Sequence, residues 1–185
     1  MTIKERFSAP LSFEVIMENL DFFTVDYSYV EYLQKAETAA RSFSRVPNMN
    51  YGSGRKQKFL CGIVLSINSA NYYVPVSSYK LKKPDNFLIF ADNGEVVSSL
   101  RFNYMFPVPE EALSKRIINT EPDLKYKALL SQELRYCIRN QEEIWHLAER
   151  TYKRVLLGKN PGLVFNSCDF HLLEEKCAEW SACTQ

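Results

Sequence analysis

The chain has 185 residues, 46% hydrophobic and 14% aromatic, and a formal net charge of +1. That is enough for one well-buried core, short for two, and too apolar for intrinsic disorder. No apolar run approaches the roughly 20 residues of a membrane helix, and the N-terminal MTIKERFSAPLSFEVIMENL lacks the continuous apolar stretch of a secretory signal, so a cytoplasmic protein is expected.

In chain order, residues 1–20 show no clear period and read as an appended extension, with one domain over 21–185. Phe22–Val25 is a short strand candidate. Asp26 or Ser28 can cap a helix running to about Phe43, with Tyr29, Val30, Leu33 and Ala36 at helical spacing. Val46–Gln57 is a loop by its turn formers Pro47, Asn48, Asn50, Gly52 and Gly54. Strands follow at Phe59–Ile67 and Tyr72–Val76, rich in β-branched and aromatic residues, with a turn at Asn68–Asn71. Pro75 has no N–H for a ladder, so its strand is an edge at that point or bulges there. Asn86–Ala91 and Glu95–Ser98 flank the hairpin signal Asp92-Asn93-Gly94, and Leu100–Phe106 is a fifth strand. Thr120-Glu-Pro-Asp opens a helical pattern through Leu157, continuous or broken near Asn140, with Gly158 suited to its C-terminal cap. A short helix from about Phe170 to Trp180 closes an α+β domain built on a small antiparallel sheet.

Near-zero net charge hides a segregation. Residues 34–83 hold nine basic residues against the single acid Glu37, whereas residues 1–33 carry two bases and six acids. A basic field beside Tyr51, Tyr72, Tyr73 and Tyr79 fits a polyanion, nucleic acid first; a solvated lysine-rich loop is the plain alternative. The five cysteines (Cys61, Cys137, Cys168, Cys177, Cys183) are odd in number and lack any CxxC pair, so they read as reduced thiols. Cys168-x-x-His171 with Cys177 is the nearest approach to a metal site, but it lacks the paired, closed spacings of structural zinc. Gly52-x-Gly54-Arg-Lys56 lacks the Gly-Lys-Ser/Thr ending of a phosphate loop and precedes a strand. Only His146 and His171 are available for a triad, with no G-x-S-x-G elbow.

The remaining candidates lie in one hairpin. If its strands pair around the turn, Lys58 at the mouth of the incoming strand meets Ser77, Ser78 and Lys80 at the end of the outgoing one. RNA scission through its own 2′-hydroxyl needs in-line alignment, fixed donors for the phosphorane charge and proton transfer at both ends. Lysines and serines can supply alignment and donors; a lysine beside other cations, or Tyr51, can move protons. On residue types alone, the plain alternative is that Ser77 and Ser78 end a strand with Lys80 merely exposed, and a non-catalytic RNA-binding module is the alternative function.

Tyr29-Val-Glu-Tyr-Leu33, Val46-Pro-Asn48, Gly62-Ile-Val-Leu65, Tyr72, Pro75, Ser77-Ser-Tyr-Lys80 and Phe170-His-Leu-Leu-Glu-Glu-Lys176, in that order over roughly residues 22–180, resemble the ToxN/AbiQ family of endoribonuclease toxins from type III toxin–antitoxin systems. The resemblance implies a strongly bent antiparallel sheet with surrounding helices, similar to the Kid/MazF toxins. It also implies metal-independent cleavage that leaves a 2′,3′-cyclic phosphate, with no cofactor. The implied partners are a small repeat RNA antitoxin, folded as pseudoknots, that the toxin processes and that assembles with it into closed ring-like complexes; the implied substrates are cellular or phage RNA, and the implied role is abortive infection. Carried over by position, the family's Thr/Ser-Ser-x-Lys box falls on Ser77, Ser78 and Lys80, its pre-hairpin lysine on Lys58 and its loop tyrosine on Tyr51. Many members have proline where this chain has Tyr79. By charge, stacking capacity and position, Arg55, Lys56, Tyr79, Lys82, Lys83 and Tyr29 are the candidate RNA contacts.

Overall fold

The computed structural model describes residues 11–16, 18–49 and 56–184. Its axis is a long hairpin, β2 (Leu60–Ile67) and β3 (Ala70–Ser77), joined by a two-residue turn. Both turn residues, Asn68 (φ 51°) and Ser69 (φ 63°), are left-handed, as a turn matching the twist of two strands demands. Serine is an unfavourable choice there, and the N-terminal segment braces it. The Ser69 N–H donates to Glu14 Oε1 at 3.1 Å, and Phe13 bridges Ile67. The segment expected to be an appended extension thus docks residues 12–14 on the hairpin end, and Leu20 is buried in the core.

Seven strands form one antiparallel sheet, with β1 (Asp21–Val25), β4 (Asn86–Phe90), β5 (Val96–Arg101), β6 (Phe106–Pro107) and β7 (Leu113–Lys115) added to the hairpin. The order is β4-β5-β3-β2-β1-β7, and β6 also pairs with β3. The far edge of β3 therefore serves two strands in turn. Tyr72 and Tyr73 face β6, while Val76 and Ser77 face β5. Pro75 lies between them. Val76 N–H points to Phe59 O on β2, so by alternation the missing N–H of Pro75 falls at the gap where pairing passes from β6 to β5.

The expected fifth strand over Leu100–Phe106 does not exist as one element. Leu100 and Arg101 end β5, Phe102–Tyr104 is a 3₁₀ turn, and Phe106 begins β6. The chain turns here because Phe102 and Met105 bury in the core, and local pattern cannot anticipate that tertiary pull. A bulge between Gly62 and Leu65 interrupts β2. It frees the Ile63 carbonyl, which accepts from the Trp145 indole N–H at 3.0 Å. Gly62 is forced by a neighbour, since a Cβ there would lie 2.2 Å from Tyr73 Cδ1.

Helix α1 (Tyr27–Arg41) is capped by Asp26, which accepts from Ser28 N–H, and it closes at left-handed Ser42, near the expected end at about Phe43. The helical pattern of the last third divides into α2 (Leu124–Arg139) and α3 (Gln141–Leu156) at Asn140. Asp123, three residues after Thr120, is the cap of α2, accepting from Lys125 and Tyr126 N–H. α3 packs on β2, α2 on β4 and β1, and α5 (Phe170–Thr184), after the short α4 (Pro161–Phe165), packs on α1, β6 and β3. Glu37 ties this layer together. Its buried carboxylate accepts from Arg41, Ser44 Oγ and the N–H groups of Arg45, Val46 and Asp169. Among the described residues no helix is long and apolar enough to cross a membrane.

Candidate active site

Hairpin register decides which side chains meet. Leu60 pairs with Pro75 and Val76 N–H bonds to Phe59 O, so the next step outward sets Lys58 across from Ser77. Both, with Ser78, line one pocket of about 400 Å³ between the hairpin end, β5 and α2. Of the two lysines and two hydroxyls expected to converge, Lys58, Ser77 and Ser78 line this pocket. Lys58 is half-buried, whereas Ser78 and Lys80 are exposed. Lys80 lies beyond the pocket lining, on the loop leaving β3. Tyr51 and Arg55 lie outside the described residues.

The loop after Ser77 is held by hydrogen bonds that depend on its own residues. Ser77 Oγ accepts from Tyr79 N–H at 3.2 Å, and Ser99 Oγ on β5 donates to Tyr79 O at 2.5 Å. The first bond needs an N–H at position 79, which proline lacks. Buried Asn86 pins the rest. Its side chain accepts from Lys83 N–H and donates to Leu81 O, and its carbonyl accepts from Lys82 Nζ. Lys80, Lys82 and Lys83 are exposed on this loop, with the Lys82 ammonium held on the Asn86 carbonyl.

Lys56 is committed elsewhere in part. It pairs with Asp123 at 2.7 Å and sits 3.6 Å from the centre of the Tyr126 ring, and that ammonium beside Asp123 holds its carboxyl below the ordinary carboxylate range. Tyr29 is corrected outright. It is fully buried, its hydroxyl donates to Pro107 O at 2.7 Å, and its ring packs edge-on to Trp180, so no RNA can touch it. Burial and the nearby Cys177 push its phenol far up. Tyr72 and Tyr73 are likewise core residues; Tyr72 and Tyr152 both donate to Glu174 Oε1, at 2.6 and 2.7 Å. The helical spacing and aromatic count that drew attention to these side chains reported packing. Among the described residues no group of three or more His, Cys, Asp or Glu is placed to hold a metal ion.

Several pocket residues escaped the sequence reading. Arg101, at the end of β5, lies over Tyr79 and Tyr104 with its guanidinium 4.9 and 4.4 Å from the ring centres. From the other wall come Tyr126, Leu129 and Glu133 of α2, and from β5 Val97 and Ser98. Tyr126, Leu129 and Glu133 stand at i, i+3 and i+7, so a shared helix face was legible. What that face meets was not. Burial raises the Tyr126 phenol and Arg116 opposes the rise. The site as a whole presents Lys58 and Arg101, with Lys56 at its margin, around paired serine hydroxyls, next to an aromatic and apolar wall.

Comparison with known proteins places this arrangement in a lineage. The family model described as "Toxin ToxN, type III toxin-antitoxin system" matches residues 21–178. The chain is 28% identical over 173 residues to Endoribonuclease ToxN of Bacillus thuringiensis subsp. kurstaki, covering 88% of this chain and 85% of that protein. It is 27% identical over 181 residues to Endoribonuclease AbiQ of Lactococcus lactis subsp. lactis, covering 91% and 93%. A solved structure concerning selective toxin inhibition by a non-coding RNA pseudoknot in type III toxin–antitoxin systems superposes with a TM-score of 0.77 at 26% identity, covering 89% of this chain and 99% of that one. The structure of AbiQ, a lactococcal anti-phage endoribonuclease, gives 0.73 at 27%, covering 89% and 99%.

Proposed function

The chain belongs to the ToxN toxin family of type III toxin–antitoxin systems, and on that premise we propose that it is an endoribonuclease that cleaves RNA by 2′-hydroxyl attack, leaving a 2′,3′-cyclic phosphate. The supporting observation is the single pocket that gathers Lys58, Ser77 and Ser78 at the open end of the hairpin.

In this reading the scissile phosphate lies between the two strand ends. The Ser77 and Ser78 hydroxyls hold the 2′-oxygen in line with the leaving 5′-oxygen. Lys58 faces the phosphorane as charge develops, and Lys80 approaches from the exposed loop. Fixed cations at a site shielded from bulk water act more strongly than they would in solution. Arg101 and the exposed Lys82 and Lys83 follow the backbone on either side. The inhibitor is a small repeat RNA folded as a pseudoknot, processed at the same site and assembled with the toxin in a closed ring; the targets are cellular or phage transcripts. Residues 21–185 act as one catalytic domain, with residues 12–14 bracing its hairpin.

The test is purified protein with RNA containing all four bases in excess chelator, with mass analysis of the fragment ends. Wild type yields 2′,3′-cyclic phosphate termini, and Lys58→Ala or Ser78→Ala lowers the rate about a hundredfold, the usual cost of removing one transition-state donor. Intact RNA after long incubation, with steeply salt-dependent binding, would establish a binding module instead. A Lys58→Ala variant as fast as wild type would remove this site from the reaction.

A further inference from the structure

Two polar groups in the pocket remain once the phosphate chemistry is assigned. Glu133 lines the α2 wall and is only 4% exposed. No cation among the described residues pairs with it. Burial raises its carboxyl above the ordinary value, and the nearby Ser98 hydroxyl opposes that rise. Ser98, also 4% exposed, lines the same wall from β5, and among the described residues its Oγ has no hydrogen-bond partner of normal geometry. A carboxyl kept this deep without a cation costs folding free energy that an apolar residue would not. Around it the wall carries apolar surface from Val97, Leu129 and the Tyr126 ring. An apolar slot with one polar group at its end is how proteins hold an unstacked base, burying the ring and reading its edge.

We propose that this wall is a nucleobase subsite beside the scissile phosphate, where the Glu133 carboxylate accepts a hydrogen bond from the exocyclic amino group of adenine, cytosine or guanine, positioned from behind by Ser98. Uracil is disfavoured. Its one edge donor, N3–H, is flanked by two carbonyl oxygens that repel a carboxylate. The placement next to a phosphate rests on the ribonuclease reading, but base binding can be measured without cleavage.

The experiment titrates the wild-type protein, followed by NMR chemical shifts, with two size-matched pairs. These are CMP against UMP, and AMP against purine riboside 5′-monophosphate, which lacks only the amino group. The purine pair isolates the amino contact from stacking and from phosphate binding, and the pyrimidine pair adds the repulsion of the uracil carbonyls. The amino-bearing member of each pair binds about tenfold more tightly, the low end of discrimination by a well-placed base contact, and Glu133→Leu brings both ratios to within about twofold. If that variant does not fold, E133Q serves; its neutral acceptor reduces both ratios to about threefold, because charge-assisted bonds are roughly twice as strong as neutral ones. Ratios near one in wild type, or tenfold ratios that survive these substitutions, overturn the proposal. Parallel cleavage assays keep the two readings apart. Wild type that shows the ratios but cuts no RNA retains the base subsite and loses the nuclease.

Discussion

Replacing Glu37 by glutamine should destabilise this protein more than any comparable change on its surface. The carboxylate is fully buried, and each oxygen is surrounded by donors. Oε2 accepts from Ser44 Oγ at 2.7 Å, Arg45 N–H at 2.6 Å and Val46 N–H at 3.2 Å. Oε1 accepts from Arg41 Nη1 at 3.0 Å and Asp169 N–H at 2.7 Å. An amide keeps one oxygen, and its best orientation leaves that oxygen in the three-donor position. The NH₂ then faces the Arg41 guanidinium and the Asp169 amide, donor against donor. Two buried donors lose their acceptor at about 1–3 kcal/mol each, so the expected loss is about 2–6 kcal/mol, set against a total stability of about 5–15 kcal/mol for a typical domain. Urea unfolding followed by far-UV circular dichroism reads the change as a lower midpoint at unchanged slope. A loss below about 0.5 kcal/mol would refute the description of Glu37 as the acceptor joining α1, the following loop and the start of α5. The same variant should slow RNA cleavage, because Pro47, just beyond Val46, lines the pocket.

Gly62→Ala is expected to lose about 1–3 kcal/mol by urea melt, since the new methyl would overlap the Tyr73 ring; a second change, Tyr73→Ala, should recover part of the loss caused by Gly62→Ala, and strict additivity of the two would argue against that contact. Glu133 makes stability depend on pH with a definite sign. Its folded-state pKa is raised by burial, so the folded state holds the proton more tightly. Its contribution is complete below the unfolded-state value of about 4.3 and is lost as pH rises through the folded value. Glu133→Gln should therefore melt higher than wild type at pH 7–8, with the advantage vanishing near pH 4; a Glu133→Gln advantage that grows toward acid pH would contradict the buried setting of this carboxyl.

Most of the local architecture was legible along the chain. β-Branched and aromatic content placed β2 and β3, the Asp-Asn-Gly turn placed the β4–β5 hairpin, and helical spacing found α1, α2 and α3, because these signals act over a few residues. The hairpin also makes Lys58 and the Ser77–Ser78 pair legible as neighbours, since strand pairing around a turn is itself a short-range event. What lay beyond reach was every decision made by distant chain segments. Tyr29 has the same helical spacing whether its ring meets RNA or Trp180 of α5. Leu100–Phe106 has strand-like composition, yet the burial of Phe102 and Met105 breaks it into three elements. Nothing within ten residues of Glu133 shows that its face of α2 meets Val97 and Ser98 of β5, roughly 35 positions earlier. Periodicity fixes which face of an element is apolar. Only packing of the whole chain decides what that face is laid against, and so which carboxyl, hydroxyl and cation share one pocket.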